Sequence, residues 1–252
     1  MLNNLPLQEQ EIVLTGTNMT HSVSSKITAL GGKVYHLPLI TVHEIETSED
    51  SQLLEHAMNC EWLLFTSQNA VQAFSNKLAR LQQTKENCLA KIAVVGEKTA
   101  QAIEKLGFTI DFMPSTYSAD TFVKEFPLHV GQLKSCLFLK GSLAKATIKE
   151  GLPFPVEEWI VYETIQTTEH ASALKELIEQ SQTVTVIFAS PSAVEVFAKH
   201  IAPEIGWNGF KIAAIGHVTE TALQNVGATV NIKPEKYTMM AIIDELANGK
   251  EL

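Results

Sequence analysis

The sequence predicts an α/β fold of two similar doubly wound lobes, each a parallel sheet between layers of helix. Three observations carry this. One strand–turn–helix pattern occurs twice along the chain. Each copy reads as a short apolar run, a turn of Ser, Thr and Gly, and then apolar residues at helical spacing. Finally, 252 residues with 45% hydrophobic content suffice for two cores, since domains run to roughly 100–150 residues.

The duplication is legible directly. WLLFTSQNAVQAF, ending at Phe74, recurs as TVIFASPSAVEVF, ending at Phe197, so that Phe65, Ser67, Ala70, Val71 and Phe74 answer Phe188, Ser190, Ala193, Val194 and Phe197, 123 positions on. KIAVVGEKTAQAIEKLGFTIDFMPSTYSADTF from Lys91 recurs as KIAAIGHVTETALQNVGATVNIKPEKYTMMAI from Lys211, 120 positions on. There Gly96, Thr99, Gly107, Pro114 and Tyr117 answer Gly216, Thr219, Gly227, Pro234 and Tyr237. A weaker third pair joins EIVLTG, ending at Gly16, to CLFLKG, ending at Gly141.

Taken in order, EIVLTG is a buried strand followed by a helical stretch and the β-rich segment KVYHLPLITV, Lys33 to Val42. WLLF is the next strand, and Ala70, Val71, Phe74 and Leu78 fall on one face of the helix after it. IAVVG turns into a helix at Gly96, with Ile103 and Leu106 inward; Tyr117 follows a Pro and introduces the next helix. CLFLKG leads to the β-rich VEEWIVYETI, Val156 to Ile165. TVIF, a helix with Ala193, Val194, Phe197 and Ile201 on one face, IAAIG, a helix with Leu223 and Val226 inward, and a last helix after Tyr237 complete the second copy. Alternating strands and helices imply parallel sheets with right-handed crossovers.

In such sheets the ligand crevice lies at the carboxyl ends of the strands. The loops there are Thr66 to Asn69, Gly96 to Thr99, Lys140 to Ser142, Ser190 to Ser192 and Gly216 to Thr219, all small and polar. Each is expected to open a helix and to present unpaired N–H groups and the positive end of a helix dipole. The candidates for substrate contact are Ser67, Asn69, Gly96, Thr99, Lys140, Gly141, Ser142, Ser190, Ser192, Ala193, Gly216 and Thr219. The serines read equally as helix caps, the two threonines as fillers of a first helical turn, and Lys140 and Lys145 as solvated lysines. Tyr162, in WIVYET, is either a half-buried strand residue or the donor of a phenolic proton into the cleft. Tyr117 and Tyr237 read as packing residues. His217 lies in a crevice loop but answers Glu97, so the position carries no shared chemical requirement.

Composition excludes several classes. A formal net charge of −9 argues against general nucleic-acid affinity, which needs a basic face. It also means that an anionic ligand must be met by local donors. Arg80 is the only arginine, so bidentate clamps are nearly excluded and backbone donors lead. Neither GxGxxG nor GxxxxGK[ST] occurs, so no nucleotide cofactor is expected. The histidines show no metal-ligand spacing. Cys60, Cys88 and Cys136 form no CxxC and are expected to be buried thiols. No apolar run approaches the ~20 residues of a membrane span and MLNNLPLQEQE does not read as a leader, so a cytoplasmic protein without a membrane partner is expected.

FTSQNAVQAF, IAVVGEKTAQAIEKLG, the Pro-x-x-Tyr before a helix, WIVYET, FASPSAVEVF and IAAIGHVTETALQNVG, in this order and spacing, resemble the uroporphyrinogen-III synthase family over almost the entire chain. The resemblance implies a discontinuous lobe of residues 1–38 and 167–252, a second lobe of 43–159, and antiparallel linker strands at 37–42 and 160–165. It implies a cofactor-free lyase that closes hydroxymethylbilane to uroporphyrinogen III with loss of water and inversion of the last ring. The implied path runs through an azafulvene and a spiro pyrrolenine, in a cleft that blocks the spontaneous closure to isomer I. Tyr162 is the matching family tyrosine, expected to protonate the departing hydroxyl. The partner is then a tetrapyrrole with eight carboxylates; a monomer is expected, and transient contact with the enzyme that makes hydroxymethylbilane is left open. Where the family has arginines, this chain has Gly16 or Thr17 and Lys145. The competing reading is a non-enzymatic two-lobed binding or sensor protein.

Overall fold

The computed structural model describes residues 5–17, 20–131, 133 and 135–249, so the opening MLNN, on which the expected lack of a leader partly rests, lies outside the described residues. Its elements are β1 (Glu11–Leu14), α1 (His21–Ala29), β2 (Lys33–His36), β3 (Ile40–Glu44), α2 (Asp50–Asn59), β4 (Trp62–Phe65), α3 (Gln68–Arg80), β5 (Lys91–Val94), α4 (Glu97–Lys105), α5 (Ala119–Val130), β6 (Cys136–Gly141), α6 (Thr147–Gly151) and β7 (Glu157–Gln166), followed by α7 (Ala171–Gln180), β8 (Val184–Phe188), α8 (Pro191–His200), α9 (Ala202–Ile205), β9 (Lys211–Ala214), α10 (His217–Asn225) and α11 (Met239–Ala247).

The chain divides into two compact units, 1–41 with 165–252 and 42–164, and passes from one to the other inside β3 and inside β7. In the first unit the sheet order is β2-β1-β8-β9, every pair parallel. In the second the order is β3-β7-β6-β4-β5, and the pairs β7–β6, β6–β4 and β4–β5 are parallel. The repeat is therefore topological. β6 occupies the place of β1, β4 that of β8 and β5 that of β9, which gives the weak EIVLTG–CLFLKG pair a physical basis. Detail repeats as well: Asp111 Oδ2 accepts from Ile92 N at 2.8 Å, and Asn231 Oδ1 accepts from Ile212 N at 2.8 Å.

Each sheet is covered on both faces, which is why its strands read as unbroken apolar runs rather than alternating ones. In the second unit Leu63, Phe65, Leu137 and Leu139 pack under α2, α3 and α4, while Trp62, Leu64, Cys136 and Phe138 pack under α5 and α6. In the first unit Val13, Val186 and Phe188 lie under α7, α8 and α10, and Ile12, Leu14 and Ile187 lie under α1 and α11. The inward stripes at 70, 71, 74 and 78 and at 193, 194, 197 and 201 are buried as read. Val226, the C-cap of α10, is not: it is 39% exposed.

Candidate active site

The carboxyl ends of β4 and β6 and the middle of β7 bring Ser67, Gly141 and Tyr162 together. Ser67 ends the extended chain after β4 and caps α3, its Oγ accepting from Ala70 N at 3.2 Å. That hydroxyl also lies 3.1 Å from the Tyr162 phenol oxygen. Tyr162 reaches it because the β6–β7 ladder slips by one residue between Lys140 and Gly141, so that Gly141 faces Tyr162 rather than Val161. A bulge of this kind re-aims a side chain. Val161 is fully buried, whereas Tyr162 is half-buried against the α3 side of the core.

The ring then lies on Gly141. A Cβ at that position would come within 2.4 Å of Tyr162 Cζ and 2.7 Å of its hydroxyl oxygen, a distance that only glycine avoids. Ser142 N donates to the Tyr162 carbonyl at 3.0 Å and holds the backbone there. The Ser67 oxygen has lone pairs enough to accept from Ala70 N and also from the phenol, or it can turn its own proton to the phenol oxygen; either hydroxyl can be the donor of the contact.

The equivalent place in the first unit differs. Ser190 caps α8, its Oγ accepting from Ala193 N at 3.3 Å, with Pro191 at the first helical position. Ser192 and buried Ala193 follow within the first turn. Gly216 precedes α10, as Gly96 precedes α4, and neither has a side chain to cap with. Thr99 and Thr219 are buried in the first turns of those helices. Asn69 is half-buried in the first turn of α3.

Two expectations change. The loop from Lys140 to Ser142 does not open a helix: β6 runs on through Gly141, held by β7, and α6 starts only at Thr147 with no side-chain cap. Lys140 itself is buried, its ammonium 2.8 Å from Glu158 Oε1 and 5.8 Å over the Phe138 ring, on the α5–α6 face of the sheet. The hydrogen bond from Lys140, aided by Lys149, holds the Glu158 carboxyl below the usual range. Lys145 is exposed. Arg80 is spent on Glu44 and Asp50, at 3.0 and 2.7 Å.

Tyr117 and Tyr237, read from the sequence as packing residues, are 55% and 52% exposed. The Tyr237 ring lies over Gly216, the glycine that opens the preceding helix, whereas Tyr117 approaches Gly96 only through its Cβ, 3.8 Å from where a Cβ of Gly96 would stand. The signal that could have marked them is the repeat itself, which keeps Gly and Tyr 21 residues apart in both copies, from 96 to 117 and from 216 to 237. Of the cysteines, Cys60 and Cys136 are buried, and burial pushes both thiols up to about 12; Cys88 is half-buried and also raised by burial.

Comparison with known proteins adds a family. A family model described as "Uroporphyrinogen-III synthase HemD" matches residues 21–244. The uroporphyrinogen-III synthase of Synechococcus elongatus is 25% identical over 252 residues, covering 94% of this chain and 94% of that protein. That of Chlorobaculum parvum is 29% identical over 187 residues, covering 69% and 74%. A crystal structure of a mutant uroporphyrinogen III synthase from the extremely thermophilic bacterium Thermus thermophilus superposes with a TM-score of 0.65 at 17% identity, over 96% of this chain and all (100%) of that one. The Helicobacter pylori enzyme gives 0.64 at 21%, over 95% and 99%. At such identities the two structures speak for the fold alone.

Proposed function

The chain belongs to the uroporphyrinogen-III synthase family, lyases of haem biosynthesis, and from that premise we propose that Tyr162 is the acid that helps the hydroxyl of hydroxymethylbilane to leave. The reaction cyclises this linear tetrapyrrole to uroporphyrinogen III with loss of water and inversion of ring D. Hydroxide is a poor leaving group and water a good one, so a positioned proton lowers the barrier of the first step. The observation that carries the reading is the Tyr162–Ser67 contact of 3.1 Å on the floor formed by Gly141. With the Ser67 hydroxyl as the donor of that contact, the phenolic proton is free for the departing hydroxyl.

The helix starts at Ser67, Gly96, Ser190 and Gly216 are read as receivers of acetate and propionate carboxylates, through N–H groups that no carbonyl of the helix can satisfy. Thr99 and Thr219 shape the first turns, Asn69, Ser142, Ser192 and Ala193 line them, and Lys140 supports the floor through Glu158 rather than by touching substrate. The protein is read as a cytoplasmic monomer that takes its substrate, transiently or by diffusion, from the enzyme that makes it. Among the described residues no helix is long and apolar enough to cross a membrane. Every relative named above is a synthase, so the two-lobed binding or sensor reading gains no support from them.

The test is Tyr162→Phe, assayed on hydroxymethylbilane generated in place. The phenylalanine keeps the ring on Gly141 and removes the proton, so kcat falls about 10²-fold while KM stays within a factor of two or three of wild type. An unchanged kcat would remove Tyr162 from the proton transfer.

A further inference from the structure

We propose that Asn208 is a modification site: the Gly209 backbone nitrogen attacks its side-chain amide, and the loop before β9 converts without an enzyme to aspartate and isoaspartate at this position. The proposal stands apart from the synthase reading, because its test needs no substrate.

The chain holds two Asn–Gly pairs, Asn208–Gly209 and Asn248–Gly249. Glycine leaves the nitrogen after an asparagine unshielded by any side chain, so the sequence alone marks both pairs equally. The structure separates them. Gly249 N donates to the Leu246 carbonyl at 3.2 Å and Asn248 N to the Asp244 carbonyl at 3.0 Å, which closes the end of α11. Gly209 N and the Asn208 side chain have no hydrogen-bond partner among the described residues, and both residues are exposed. A Cβ built on Gly209 would meet nothing within 4 Å, so the space around this nitrogen is open.

The chemistry balances with water alone. The Gly209 nitrogen gives up its proton to solvent base and bonds to Asn208 Cγ. The Cγ–Nδ2 bond then breaks, ammonia leaves with a proton from solvent, and a succinimide ring remains. Water adds to one of the two ring carbonyls. Opening at Cγ restores the ordinary chain with aspartate at 208. Opening at the backbone carbonyl routes the chain through Cβ and Cγ, as isoaspartate, and makes it one atom longer. A nitrogen whose N–H is held by a carbonyl must first be released, so the Leu246 bond slows the same reaction at Gly249.

Two rings decide what the change does to the fold. Trp207 and Phe210, on either side of the pair, both pack on Phe197, with centroids 4.7 and 5.6 Å away, and Trp207 also reaches Phe188 at 6.2 Å. Asn208 and Gly209 therefore span a gap fixed at both ends. Aspartate adds a negative charge to a chain already at −9 and leaves that span unchanged. Isoaspartate lengthens it, so Trp207 loosens from Phe197. The loop enters the amino end of β9, opposite the end that leads to Gly216, and the strand-end loops are left as they are.

The experiment ages the purified wild-type protein in mildly alkaline buffer, folded and in guanidinium chloride, and follows the peptides that carry residues 208 and 248 by mass spectrometry. Synthetic peptides distinguish isoaspartate from aspartate by elution. In guanidinium chloride, where neither glycine is held, the two sites should convert at comparable rates. In the folded protein Asn208 should convert roughly fivefold or more faster than Asn248, the worth of the one hydrogen bond that holds Gly249. Protein carrying isoaspartate, separated by anion exchange, should show tryptophan emission at longer wavelength. Asn208→Asp, which has the charge without the longer chain, should not. Asn208→Gln, whose amide would have to close a larger ring, should stay unmodified over the same period. Equal rates at 208 and 248 in the folded protein would overturn the proposal, and so would an Asn208 that stays intact in the fold while it converts in guanidinium chloride.

Discussion

Lys77 has no exposed side-chain surface, and its ammonium is matched by Asp50 Oδ2 at 2.7 Å, the Ile45 carbonyl at 2.6 Å and the Trp159 ring at 5.3 Å. Arg80 adds a second cation on Asp50. Burial alone would push the Asp50 carboxyl up. The hydrogen bond and charge of Lys77, with Thr47 and Arg80, outweigh it and hold the carboxyl below its usual value. A carboxyl lowered in the folded state stabilises the fold above its unfolded pKa, and that contribution is lost as pH falls through the folded value. Stability should therefore decline below about pH 4. Asp50→Asn leaves Lys77 buried with the Ile45 carbonyl, the Trp159 ring and Glu44, at 3.5 Å, to answer its charge. The variant should lose about 3–5 kcal/mol in urea unfolding and show a shallower acid limb. A loss under ~1 kcal/mol, the range of an exposed pair, would mean that the ammonium finds water.

At the scale of elements, α3 is fixed at its start by Ser67 and near its end by Lys77, and its start carries the contact to Tyr162. Ser67→Ala should cost about 1 kcal/mol through the lost cap, and it should also lower kcat, because the phenol loses its partner. Ser118→Ala, which removes the equivalent cap bond to Thr121 N from α5, should cost the same stability and leave kcat unchanged. Equal kcat for the two variants would separate Ser67 from the chemistry. The elements themselves were legible because each carries its own signal: Ser67 and Ser190 precede helical stripes, and the glycines at 96 and 216 stand where strand turns to helix. The end of β6 was not. A strand buried on both faces shows no alternation, so nothing in CLFLKGSLAK marks the register slip that carries the strand through Gly141 or the face on which Lys140 meets Glu158.

At the scale of the molecule, a duplicated sequence yields two sheets of matching order, and duplication leaves the chemistry free to differ between copies. Tyr162 has no tyrosine counterpart in the first β-rich segment, KVYHLPLITV, in which Tyr35 donates instead to Glu11 at 3.0 Å. The repeat could locate both sets of strand-end loops but not rank them, since Tyr162, Ser67 and Gly141 are separated by 95 and 21 positions and meet only through sheet order β7-β6-β4. What the whole chain must do is favour one closure of a flexible bilane over the one that occurs unaided. The measurement that tests this most directly is to supply hydroxymethylbilane in place to the purified protein, oxidise the products and separate uroporphyrin isomers I and III by chromatography. The account predicts a large excess of isomer III; isomer I alone, formed at the rate seen without protein, would contradict it.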